Sequence, residues 1–109
     1  MRYLCLLIAV GFLLFGFEVK AEEGKDIFES LRCANCHKVD RGKFNPSLKE
    51  IARAYKGKES RLQSYLKSEA EPIVKPEKAD MMKRHIEKTK ALKDEERKAL
   101  SDFILSHKD

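Results

Sequence analysis

Cysteine is scarce in this chain, and only Cys33 and Cys36 lie beyond the N-terminal apolar segment that holds Cys5. A zinc site needs two further soft ligands that the sequence does not supply. A thioredoxin-like redox pair normally follows a strand in a βαβ unit, and no strand pattern is legible anywhere. There is no internal repeat and no low-complexity stretch. No cluster of basic and aromatic residues is present, which argues against nucleic acid as a partner. Nor is there a constellation of catalytic acid and base, so the chain does not read as an enzyme. Glycine is sparse while charged residues make up 38% of the sequence, a balance compatible with a thermophilic source.

Long apolar runs are also missing. The one run, Leu4 to Phe17, is shorter than the ~20 residues that span a bilayer comfortably. Arg2 stands before it and Val19-Lys20-Ala21 forms a small-residue cleavage site after it, so residues 1–21 read as a cleaved secretory signal peptide. A lipoprotein signal would carry its cysteine at the end of the run, whereas Cys5 is near the beginning. The expectation is an exported, soluble periplasmic protein with no stable membrane insertion after cleavage. Residues 22–109 then form one domain of a size at which the apolar core alone is marginal.

What the sequence does contain is Cys33-Ala34-Asn35-Cys36-His37. C-x-x-C-H is the signature of covalent haem attachment. Its two thiols add to the two haem vinyl groups as thioethers, and the adjacent imidazole is held under the iron as an axial ligand. One covalent haem c per chain would complete a small core and account for both cysteines without a disulfide, even in an oxidising compartment.

The formal charge is +5, of which the first 21 residues hold +1, from Arg2 and Lys20 against Glu18. Two ionised propionates would bring the mature protein to about +2. Such an excess suits a lysine-rich rim that steers docking onto acidic redox partners. Lys38, Lys43, Lys56 and Lys83 flank the segments expected to contact the haem.

Apolar spacing predicts an all-α domain. Ile27, Phe28 and Leu31 mark a short helix that delivers the chain to Cys33. Residues 38–45 read as a loop, with Pro46 suited to the first position of the next helix. Leu48, Ile51, Ala52 and Tyr55 supply that helix with one buried face, and Gly57 suits its stop. Ser60 to Gln63 has capping-box form ahead of Leu62, Tyr65 and Leu66. Pro72 and Pro76 break the chain, with at most a short turn from Pro76 to Met82. Leu100, Phe103, Ile104 and His107 share a face in a last helix from Asp94, where Lys93 or Asp94 serves as cap.

Four residues are candidates for the second axial position: Met81, Met82, His85 and His107. His107 suits the C-terminal end of the last helix dipole, and imidazole makes His85 a real competitor to the methionines. Tyr55 and Tyr65 serve either as core residues or as donors to a propionate.

Gly24 with Phe28, the CANCH run, Pro46-Ser47-Leu48, Tyr55-Lys56-Gly57, Met81-Met82-Lys83 and the helix of Leu100 and Phe103 together resemble a small bacterial class I cytochrome c. The similarity is greatest to the soluble monohaem c-555 and c-552 type. It covers essentially the whole mature chain. The resemblance implies four to five short helices around the haem, with the N- and C-terminal helices crossing through Gly24, Phe28, Leu100 and Phe103. It implies that Pro46 offers its carbonyl to His37, orienting the proximal ligand. It also implies that Met82, the methionine directly before a lysine, is the sixth ligand, with Met81 and His85 as alternatives. Asn45 and Arg84 depart from the family pattern, which often has glycine before the proline and proline after the Met-Lys pair. The implied function is a monomeric one-electron carrier of a respiratory or similar chain. The alternatives are a haem enzyme or ligand sensor with a displaceable sixth ligand, or a subunit of a larger oxidoreductase.

Overall fold

The computed structural model describes residues 22–42 and 44–108; the expected signal peptide, Lys43 and Asp109 lie outside the described residues. Five helices and no strand occur among them. Helix α1 covers 22–30, α2 Leu48–Ala54, α3 Glu59–Leu66, α4 Ala79–Lys90 and α5 Asp94–Leu105. Two 3-10 turns, Cys33–Asn35 and Pro76–Lys78, introduce the segments between them. The core takes Phe28 from α1, Leu48 from α2, Leu62 and Leu66 from α3, Ile86 from α4 and Leu100 from α5. Against α5 pack both α2 and α3, and α3 also meets α4.

The crossing of the first and last helices depends on a missing side chain. A Cβ on Gly24 would collide with the carbonyl oxygen of Ala99 and stand 2.8 Å from the Cβ of Phe103. Glycine therefore lets the two backbones touch. One turn along, the rings of Phe28 and Phe103 meet at 5.3 Å between centroids with a 52° tilt, a favoured aromatic arrangement.

Helix α2 begins one residue beyond Ser47 rather than at Pro46. Ser47 is the cap: its Oγ accepts from the Glu50 amide at 3.1 Å, and Glu50 Oε1 accepts from the Ser47 amide at 3.4 Å. That reciprocal pair satisfies two donors at the helix start and leaves Pro46 outside, with its carbonyl free for another partner. Gly57, at φ 75°, takes the left-handed conformation after this helix.

Helix α3 starts earlier than the Ser60 signal predicts, because Lys58 is its N-cap and Ser60 lies within the first turn. Its end is a Schellman arrangement, with Ser68 N–H to Tyr65 O at 2.9 Å and Glu69 N–H to Ser64 O at 2.8 Å. Ser68 stands at φ 66°, a place that usually goes to glycine.

The largest departure from the sequence reading is α4. A helix of 12 residues stands where only a short turn from Pro76 was expected. Two polar contacts fix it in place. The buried Thr89 hydroxyl lies 2.6 Å from the carbonyl oxygen of Leu66 at the end of α3 and 3.1 Å from that of Ile86. Arg97 of α5, 6% exposed, donates to the carbonyls of Thr89, Lys90 and Leu92 at 3.1, 3.0 and 2.6 Å and to Asp94 Oδ1 at 2.7 Å. One guanidinium thus serves the orphan carbonyls where α4 ends and the turn into α5 begins. At the start of α5, Lys93 is the N-cap and its amide donates to Glu96 at 2.9 Å, while Asp94 pairs with Arg97 instead of capping.

Candidate functional site

The helices leave between them an open, largely apolar cavity. Cys33, Cys36 and His37 line it from the turn after α1, and Met81, Met82 and His85 line it from α4. Leu48, Leu62, Leu66, Leu100 and Ile104 give it apolar walls.

The C-x-x-C-H run is aimed by its backbone. Arg32 turns the chain at φ 61°, and the amides of Cys36 and His37 both close back onto the Cys33 carbonyl, at 3.2 and 2.9 Å. This tight turn gathers both sulfurs and the imidazole on one stretch of the wall. Cys33 is part-buried and Cys36 exposed, and they are not bonded to each other. Burial pushes the Cys33 thiol above its ordinary range, only partly offset by its backbone hydrogen bond and by Lys88. Such a wall disfavours a thiolate and suits an uncharged thioether. Among the described residues no group of three or more His, Cys, Asp or Glu is placed to hold a metal ion.

His37 Nδ1 lies 2.8 Å from the carbonyl oxygen of Pro46. A carbonyl only accepts, so Nδ1 carries the proton and Nε2 keeps its lone pair for a metal. The loop is closed next to this bond by the Leu48 amide, which donates to Lys38 O at 2.8 Å.

The four candidates for a second ligand separate. His107 does not line the cavity; its Nδ1 contacts the carbonyl of Phe103 at 2.8 Å and its ring stands edge-on to that phenyl. Met81 lines the mouth but is 69% exposed, whereas Met82 packs against the apolar core. His85 is half-buried, and its Nδ1 is buried with no hydrogen-bond partner.

Both tyrosines line the cavity. The Tyr55 hydroxyl accepts from the Ile73 amide at 3.2 Å and still has a proton to donate. Burial raises both phenols; Tyr65, which also feels Tyr55 and Glu71, is pushed up to about 12.

Cations reach the cavity from unexpected positions. Arg32, Lys75 and Lys78 line it, whereas Lys38, Lys56 and Lys83 do not, and Lys43 lies outside the described residues. Lys38 instead donates to Ala34 O at 2.8 Å, and Lys83 pairs with Asp80 at 3.3 Å. Lys75 and Lys78 both donate to the carbonyl of Phe44, with Lys78 also 6.0 Å from the centre of that exposed ring. No signal in the sequence marks them, because the left-handed turns at Arg32 and Lys75 form only when the chain closes on itself.

The model of the cytochrome c family matches residues 21–108, well over half of the chain. The chain belongs to the cytochrome c family. Cytochromes c hold haem c covalently and use it in electron transfer, so haem c is the cofactor and the all-α architecture is the cytochrome c fold. The residues present fit that group: a thiol pair in a turn, an imidazole with its proton fixed on Nδ1, apolar walls and an unpaired ring nitrogen all face or border one cavity. No curated protein matches the chain. No helix among the described residues is long and apolar enough to cross a membrane.

Proposed function

We propose that this cytochrome c is a periplasmic, monomeric one-electron carrier of the c-555/c-552 kind, with Cys33 and Cys36 attached to haem c and His37 and Met82 as the iron's axial ligands. The observation that carries this reading is the 2.8 Å contact between His37 Nδ1 and the Pro46 carbonyl, at the wall of a cavity that Met82 also lines. When bound, haem c supplies a centre that gains and loses one electron.

The protein's share is to hold that centre unchanged between the two states. Pro46 fixes the rotation of the His37 ring and strengthens its donor nitrogen. Met82 offers a thioether, which favours the reduced state, and the leucine walls keep water from the site. Were His37 and Met82 both to bind the iron, no substrate would reach the metal, and the described residues present no acid-base pair for chemistry on one. This supports a carrier over an enzyme.

Docking falls to the mouth. Arg32, Lys75 and Lys78 stand around it beside exposed Phe44 and Met81, a cationic rim with apolar contacts inside it. An acidic redox partner of a respiratory or similar chain suits that surface, and weak contact suits rapid turnover.

Acid-organic extraction followed by mass measurement of the polypeptide tests the attachment. The expected result is a chain from which haem does not extract and whose mass exceeds that of the cleaved sequence by one haem. In Cys33→Ala/Cys36→Ala the haem should extract. Free extraction from the wild type would sink the assignment, and retention of the chain in the cytoplasmic fraction would sink the periplasmic one.

A further inference from the structure

Each of the three histidines has a different relation to the cavity. His37 lines it with its Nδ1 held by Pro46, and His107 lies elsewhere with its Nδ1 against backbone carbonyls. His85 lines it, and its buried Nδ1 has no hydrogen-bond partner among the described residues. Buried polar groups are nearly always paired, and leaving one unpaired is costly. No hydrogen bond of the fold accounts for an imidazole at this point.

Its neighbours on the helix indicate what does. Met82, His85, Ile86 and Thr89 follow the spacing that puts side chains on one face of α4. Ile86 and Thr89 are buried, and all four line the cavity, so this face is turned inward. Met82 and His85 are therefore adjacent, and both are donors that bind iron, one a soft thioether and the other an imidazole.

We propose that His85 is a reserve axial ligand, which takes the sixth position when the thioether of Met82 is lost from it. The inference rests on the His37/Met82 reading above. In the exchange the sulfur withdraws its lone pair and a ring nitrogen of His85 supplies one, so a bond to sulfur breaks, a bond to nitrogen forms and no electron is gained or lost. A bis-imidazole site favours the oxidised state relative to a His/Met site, so the exchange lowers the reduction potential.

The test compares four haem-loaded proteins: wild type, His85→Gln, Met82→Leu and the Met82→Leu/His85→Gln double variant. Leucine keeps the volume of methionine and so spares the fold, and Met82→Ala replaces it should Met82→Leu not fold. The readouts are the weak ferric sulfur-to-iron absorbance, the near-infrared and paramagnetic signatures of ferric ligation, the reduction potential, and carbon monoxide binding by the ferrous form. Wild type and His85→Gln should both show the sulfur absorbance. Met82→Leu should lose it yet stay low-spin with a bis-imidazole signature, a lowered potential and resistance to carbon monoxide. The double variant should become high-spin and bind carbon monoxide. A Met82→Leu variant that already matches the double one overturns the reserve role and leaves Met82 in place. A wild type without the sulfur absorbance, whose bis-imidazole signature disappears in His85→Gln, overturns the reserve role and the Met82 assignment together.

Discussion

The hydroxyl of Thr89 lies 2.6 Å from the carbonyl oxygen of Leu66, joining the helix that carries Met82 and His85 to the end of the helix before it. Both residues are buried and both line the cavity. Thr89→Val keeps the shape and removes the donor, leaving the Leu66 carbonyl unpaired in an apolar setting. A destabilisation of about 1–3 kcal/mol is expected in denaturant unfolding, and Thr89→Ser should recover most of it. An unchanged unfolding midpoint for Thr89→Val would mean that α4 is held by packing alone.

Gly24→Ala forces a methyl group against the Ala99 carbonyl, and backbone cannot yield as a side chain can. The helices must separate, at a cost of about 1–3 kcal/mol in spite of alanine's better helix propensity. Phe103 is only half-buried, so Phe103→Ala should cost about 2 kcal/mol, below the range for a fully enclosed ring. Equilibrium unfolding of both variants measures this, and equal stability of Gly24→Ala and wild type would place the crossing elsewhere.

Tyr65 keeps its proton up to about 12 in the folded chain, because burial, Tyr55 and Glu71 all oppose the phenolate. In the unfolded chain a tyrosine ionises near 10. The raised value therefore contributes stability that is complete below pH 10 and is lost as pH rises toward 12. Tyr65→Phe should flatten the fall in unfolding free energy across that window. Phenolate absorbance tracking Tyr65 at the ordinary value would show that its side chain is solvated.

Lys75→Glu/Lys78→Glu reverses two charges at the mouth of the cavity. Electron transfer to an acidic partner should slow in the variant. For the wild type, the rate should fall as salt approaches ~0.15 M, where the Debye length is about 8 Å. The same two changes at Lys38 and Lys56, which do not line the cavity, should have a smaller effect. Equal effects from both pairs would mean that docking responds only to net charge.

Residues whose role is fixed by near neighbours or by strong spacing were legible in the sequence. Ile27 with Phe28, Leu48 with Ala52 and Tyr55, and Leu100 with Ile104 all stand on the buried faces that their periodicity predicts, and Gly24 meets the last helix at Ala99. The C-x-x-C-H run and Pro46 meet at one wall as the resemblance implied. Helix α4 was not legible, since its inward face is made of methionine, histidine, isoleucine and threonine among six charged residues, too weak a stripe to stand out. It is held by Leu66 and Arg97, contacts across 23 and 8 residues that no local pattern carries. The Ser60 cap was misplaced by two residues: Lys58 is the N-cap, and Ser60 falls in the first turn.

The burial of Cys33 bears on the order in which the protein is made. Adding a thiol across a vinyl group forms a carbon–sulfur bond and moves the thiol proton to the neighbouring carbon, and the thiolate is the reactive form. In the folded chain Cys33 is desolvated and its ionisation opposed, while Cys36 is exposed. On the proposed attachment, the bond at Cys33 forms more readily before α1 and α5 have closed around the cavity than after. A chain that folds without its cofactor would then present one exposed sulfur and one whose ionisation its surroundings oppose.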